Sequence, residues 1–220
     1  MQPSRTQSDF LNYIITSGPP PGKKLPTLAQ MSEEMGVSIG KLREQLEVAR
    51  MLGMVTVRPR NGTVREPFNF AATVRMSAFY GLETGAATFA NFSQLRQTLE
   101  TSLWHEAVVC LADEDKQQLQ AIIGRAWSKL LGDPIHVPNV EHRQLHLTIF
   151  SRLDNPFVRG ILETYWDLYD ATELTRWASY EHWVTVWRFH EQIVEAVCQN
   201  DFAYGQQLLI QHFALLPNAK

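Results

Sequence analysis

Met54-Val55-Thr56-Val57-Arg58-Pro59-Arg60-Asn61-Gly62-Thr63-Val64-Arg65 decides the fold of the first part of the chain. Two short runs rich in β-branched residues, 54–58 and 63–65, flank Pro59-Arg60-Asn61-Gly62. Asn61-Gly62 supplies the positive-φ positions of a tight turn, so the stretch reads as a β-hairpin. Working backward, Gly53 closes a helix that Ser38 caps and whose apolar face is Leu42, Leu46 and Ala49, continuing to Met51-Leu52. Before it, Thr27 caps a helix running to Met35, Gly36 takes the following position where a positive φ is needed, and Val37 packs the turn. Two short helices joined by a tight glycine-containing turn make a helix-turn-helix, and the hairpin adds a wing. A helix over residues 7–16, with Phe10, Leu11, Ile14 and Ile15 on one face, completes a winged helix-turn-helix.

Working forward, Pro67 marks a linker, and from Phe70 onward every strong pattern is helical. The apolar periodicity predicts helices over 71–82, 92–111, 115–131, 140–153, 156–174, 183–199 and 202–215, with Asn91 or Ser93, Asp113, Asn139, Asn155-Pro156 and Asn200-Asp201 at their starts. The expected fold is mainly α: an N-terminal winged helix-turn-helix domain over 1–66, a linker and first helix of the second domain over 67–90, and an antiparallel six- or seven-helix bundle completed by 91–220.

The 220 residues are 45% apolar, enough to bury a real core and to exclude a disordered or fibrous chain. The net charge of −3 hides an asymmetry. Residues 1–66 hold nine basic against six acidic side chains, and the remaining 154 hold eleven against seventeen, so the two parts carry +3 and −6. A basic nucleic-acid module joined to an acidic partner domain has this balance. Cys110 and Cys198 lie inside apolar helical patterns without CxxC spacing, which reads as reduced core residues of a cytosolic protein. The start MQPSRTQSDF has no apolar leader region and no run approaches a membrane span, so a soluble, cytoplasmic protein with no membrane partner is expected.

Gly22-x-x-Leu25-Pro26, Gly36-Val37-Ser38, Leu42-Arg43-Glu44, Leu52-Gly53-Met54-Val55 and Arg58-Pro59-Arg60-Asn61-Gly62 resemble, in order, the winged-helix reader of the GntR family of bacterial transcription regulators. Leu95-Arg96-x-x-Leu99-Glu100, Leu145-His146 with Asn155-Pro156, and His190-x-x-Ile193-x-x-Ala196-Val197 with Asn200-Asp201 and His212 resemble the all-helical FCD effector domain of that family's FadR branch. The resemblance implies a homodimer that binds a double-stranded DNA operator and responds to a small-molecule effector.

A recognition helix meets the bases with its N-terminal residues, which brings Ser38, Ile39, Gly40, Lys41 and Arg43 to DNA. Arg43 can clasp guanine O6 and N7, against the plainer reading of a solvated helix arginine. Arg58, Arg60, Asn61, Gly62 and Thr63 form the wing's contact set, although any hairpin would also favour Asn-Gly. Ile39 and Leu28-Ala29-Gln30 depart from the family, which often places cationic contacts at these points.

Metal-binding members of the branch use an Asp, a His four residues later, and one His on each of the last two helices. His146, His190 and His212 match the three histidines, and His142 stands where the family has Asp. Residues four apart share a helix face, as a common ion requires, and an all-imidazole set suits a divalent metal such as Zn²⁺ or Ni²⁺. Three core histidines without metal, or plain hydrogen-bond donors to an effector, are the alternatives. Arg96 pairs internally with Glu100 or faces the pocket and holds an effector carboxylate. His142-x-x-x-His146 lacks the Glu that a metalloprotease needs after its first His, having Arg143 instead, and no GxSxG, P-loop or Rossmann glycine pattern occurs, so no enzyme is expected. The function expected is a DNA-binding regulator that senses a small carboxylate-type ligand through a bound divalent metal; the alternative is a metal-free sensor of an acyl-CoA or other organic effector.

Overall fold

A computed structural model describes residues 6–60, 62–172 and 178–215. Among these residues the chain forms eleven helices and two strands, in two compact units, Met1–Thr73 and Val74–Lys220.

In the first unit, α1 (Asp9–Thr16), α2 (Leu28–Met35) and α3 (Ile39–Met51) pack around Phe10, Met31, Leu42 and Ala49, all fully buried. Local chemistry sets their limits. Thr27 and Gln30 close a reciprocal capping box on α2, Gly36 ends it at φ +67°, and the Ser38 hydroxyl accepts from Lys41 N to start α3. β1 (Val55–Arg58) and β2 (Gly62–Arg65) pair antiparallel with Arg58 opposite Gly62. Residues 23–25 extend the pair: Lys23 O accepts from Arg65 N and Leu25 N donates to Thr63 O. In the hairpin turn Gly62 takes the expected positive φ (+76°) and Arg60 takes one as well (+63°), while Asn61 lies outside the described residues.

α4 (Phe70–Glu83) leads into the second unit, where α5 (Phe89–Ser102), α6 (Trp104–Val109), α7 (Asp113–Leu130), α8 (Asn139–Ile149), α9 (Pro156–Ala171), α10 (Tyr180–Cys198) and α11 (Phe202–Phe213) form a helical bundle. α10 packs on α7 and α11, α7 on α8, and α5 on α9 and α11. Trp104, Leu119, Ile122, Leu145, Tyr165, Trp166, Trp187 and Leu209 build one continuous core. Where one helix was expected over 92–111, the chain breaks at Leu103, and the Trp104 indole donates to Phe202 O at 2.7 Å. The cap of α5 is Thr88 rather than Asn91 or Ser93, with Asn91 returning the bond as the third residue of a capping box. Ala112 and Pro138 precede α7 and α8 where Asp113 and Asn139 were expected as caps; the Asp115 carboxylate accepts from Ala112 N instead. Asn155 and Asp201 cap α9 and α11 as expected. The end of the 156–174 window and Trp177 fall outside the described residues. Both cysteines are free; Cys110 is exposed and not a core residue, while Cys198 is half-buried and packs against the edge of the core. No described helix is long and apolar enough to cross a membrane.

Candidate functional site

The winged unit presents α3 along one side. Arg43 is exposed on it, and Ser38 spends its hydroxyl on the cap. Lys41, expected at DNA, reaches back to Asp9 of α1 at 2.7 Å, and Asp9 also accepts from Gln45 at 3.2 Å. Hydrogen bonds from Lys41 and Gln45 hold the Asp9 carboxyl below the usual carboxylate range. In the wing, Arg58, Arg60 and Gly62 are exposed, while Thr63 is half-buried and its carbonyl is taken by Leu25. Arg65 instead donates to Ile14 O and Pro19 O and ties the hairpin to α1.

The second unit gathers His142 and His146 from α8, His190 from α10 and His212 from α11 around one point. All four rings are buried, and one nitrogen from each lies within 4.8 Å of the others. The bundle's helical period places them there: Leu145 and Ile149 carry the face of α8 that holds His146, as Ile193 and Val197 do on α10 for His190. Both nitrogens of His142 and of His212, and Nδ1 of His190, have no hydrogen-bond partner among the described residues. Buried polar nitrogens are rarely left so, because each costs about 1–3 kcal/mol.

Protonation follows from burial. Desolvation first, and mutual repulsion second, push His142, His190 and His212 well below the ordinary histidine value. His146 is lowered by burial too, with Glu100 opposing. Four neutral imidazoles with lone pairs are the form that binds a metal. His146 Nε2 stands 3.2 Å from His190 Nε2, near the separation of roughly 3.4 Å expected for two nitrogens bound to one tetrahedral ion at about 2.0–2.1 Å. The donor set and the orphaned nitrogens therefore fit a divalent metal.

A buried ion pair supports the cluster. Arg96 and Glu100, both wholly inaccessible, meet at 2.7 Å (Nε to Oε1) and 3.3 Å (Nη2 to Oε2). Glu100 Oε2 also lies 3.0 Å from His146 Nδ1. Burial alone would raise the Glu100 carboxyl, but Arg96 and His146 outweigh it and hold it at about 2. An ionised carboxylate only accepts, so His146 Nδ1 carries the proton and Nε2 keeps the lone pair. Arg96 Nη2 lies 2.8 Å from Nδ1 and 3.0 Å from Nε2, so the guanidinium rests against the ring and leaves the in-plane Nε2 lone pair open. The guanidinium also lies 4.3 Å from the Tyr165 ring centre and 5.0 Å from that of Trp166.

His142 occupies an aromatic enclosure, with edge contacts to Trp166 (4.7 Å), Tyr169 (5.8 Å), Trp187 (6.1 Å) and Trp183 (6.4 Å). A carboxylate here would be stripped of water, and a neutral imidazole costs far less among these rings. The histidines read from the sequence are thus brought together, and Arg96 makes the internal pair with Glu100 beside them. Glu100's contact with His146 and Asp9's hold on Lys41 were not foreseen. The spacing of Arg96 and Glu100 showed only their mutual pairing, since the other partners lie far off in sequence. His105 and His136 are exposed and His182 is half-buried.

Residues 91–215 match the FCD domain. No curated protein sequence matches the chain. Among solved structures, Streptococcus agalactiae GntR aligns with a TM-score of 0.64 at 16% identity, covering 93% of each chain. Lar, which controls the expression of the Listeria monocytogenes agr system and mediates virulence, aligns with a TM-score of 0.50 at 16% identity over 92% of this chain and 89% of that one. The chain belongs to the FCD domain family, and its winged helix-turn-helix followed by a helical bundle has the fold of a GntR-family transcription regulator.

Proposed function

We propose that the regulator works as a cytoplasmic homodimer, with residues 1–66 reading a pseudo-palindromic operator, 67–90 linking, and 91–220 sensing a small carboxylate through one divalent metal. Ser38, Lys41, Arg43, Arg58, Arg60, Asn61, Gly62 and Thr63 form the DNA contact set, in which Arg43 reads a base and the wing touches backbone. Lys41 must leave Asp9 to join it. No catalytic role is part of this reading.

The observation that carries the sensing half is the convergence of four buried, neutral imidazoles, three of which have unpartnered nitrogens among the described residues. His142, His146, His190 and His212 would hold Zn²⁺ or Ni²⁺, which supplies a Lewis-acid seat for an anionic oxygen when bound. Arg96 and Glu100 cancel each other and the imidazoles bring no charge, so a divalent ion adds two uncompensated positive charges to a site closed to water. An anion is therefore favoured more strongly than in relatives with Asp at position 142. Arg96 Nη2, against the His146 ring at 2.8 Å from Nδ1 and 3.0 Å from Nε2, would supply a charged donor beside the ion for the carboxylate. The effector shifts the bundle between two packings by no more than its differential affinity for them.

Elemental analysis of protein purified without a histidine tag tests this. About one divalent ion per chain is expected, falling sharply in His190→Ala. Metal content far below one after supplementation, or unchanged in the variant, removes the metal and leaves the metal-free sensor.

A further inference from the structure

The first turn of α3 holds one cation, Lys41, and that one is paired. Ile39 opens it with 42% of its surface exposed. Gly40 follows, and a side chain there would meet nothing within 4 Å, so the open surface lets a groove wall come close to the backbone. Lys41 is drawn off the face by Asp9, and Asp9 is anchored in turn by Gln45, whose side-chain Oε1 accepts from Phe10 N at 2.9 Å. Arg50, at the far end, is held by Glu47 at 2.7 Å. Ile39 and Arg43, four residues apart, share one face of the helix, and both are exposed on it.

The base edges of the major groove are hydrogen-bonding groups with one exception, the 5-methyl of thymine. An exposed β-branched side chain at the tip of a reading helix is rewarded by that group and penalised by the others, since it covers donors and acceptors without pairing them. We infer that Ile39 is a specificity-determining residue that packs on a thymine methyl, and that Arg43 reads a guanine beside it. Four residues of helix rise about 6 Å, close to two base steps of about 3.4 Å, so the thymine falls within about two base pairs of that guanine. The inference rests on α3 being the helix that enters the major groove.

The test starts with selection of bound duplexes from a random library by the full-length protein. The guanine read by Arg43 is the position where preference relaxes in Arg43→Ala. Each nearby thymine is then replaced by deoxyuridine, which removes only the methyl, and binding is measured for wild type and Ile39→Ala. Burying one methyl corresponds to about fourfold in affinity. Wild type is expected to bind the uracil duplex about fourfold more weakly at one thymine of the half-site, and Ile39→Ala to bind both duplexes alike. Ile39 lies outside the core, and unchanged thermal unfolding of the variant verifies that it folds. Equal binding of thymine and uracil duplexes by wild type, absence of a thymine within that range, or discrimination that survives in Ile39→Ala overturns the inference while leaving DNA binding intact. Enrichment of no sequence at all overturns both.

Discussion

Glu100→Gln removes the charge from a pair that is wholly inaccessible on both sides. Gln can still accept a hydrogen bond from Arg96, so the loss is one of charge. A buried guanidinium is left with no counter-ion while His146 loses the carboxylate that sets its proton. Breaking a buried ion pair from one side costs about 3–5 kcal/mol, a large part of the roughly 5–15 kcal/mol a domain has in total. The paired replacement Arg96→Met with Glu100→Leu removes both charges and is expected to be more stable than Glu100→Gln alone, because no charge is left unpaired. All six tryptophans lie beyond residue 74, so intrinsic fluorescence follows the helical unit only. With a urea slope of about 2 kcal/mol/M, the single variant shifts the midpoint down by roughly 1.5–2.5 M. A loss below about 1 kcal/mol, or a double variant less stable than the single one, would refute the reasoning. It would mean that the faces of Tyr165 and Trp166 compensate the guanidinium in place of Glu100.

Gly205→Ala is expected to destabilise by about 1–3 kcal/mol in the same assay, because a Cβ would stand 2.8 Å from Trp104 Cζ2, and this overpacking outweighs the gain of about 1 kcal/mol in helix propensity. Equal or higher stability would show that Trp104 gives way freely. Arg43→Ala should cost about 1–3 kcal/mol of DNA affinity and relax preference at one operator position, whereas Arg60→Ala should weaken all sequences about equally, as fluorescence anisotropy against variant duplexes would record. In metal-free protein the folded state keeps His142, His190 and His212 neutral, while the unfolded chain protonates them below about pH 6.5. The unfolded state then binds more protons, so stability falls as the pH drops from 7 to 5. A urea midpoint flat over that range, or a slope unchanged in His212→Gln, counts against this.

Residues acting within a turn of one another were legible in the sequence. Thr27 and Ser38 as caps, Gly36 as a positive-φ stop, and the strand pair with Gly62 at its turn all follow from hydrogen bonds and steric limits that span three or four positions. That short range makes them independent of the rest of the fold. Helix existence in the second unit follows likewise from apolar period, but its breaks do not: nothing in Ser102-Leu103-Trp104 marks the end of α5. The histidine set came from resemblance and the spacing of His142 and His146, which share a face of one helix by geometry alone. What those rings meet was decided by tertiary packing. Glu100 and His146 are 46 residues apart and sit on different helices, so their contact depends on how α5 and α8 lie in the bundle. Lys41 illustrates the same limit: its spacing places it in the first turn of α3, yet α1 packs so that Asp9 captures its charge. Periodicity tells a helix which face to bury; the identity of the partner across that face is set by the angle and register of packed helices, which no local pattern encodes.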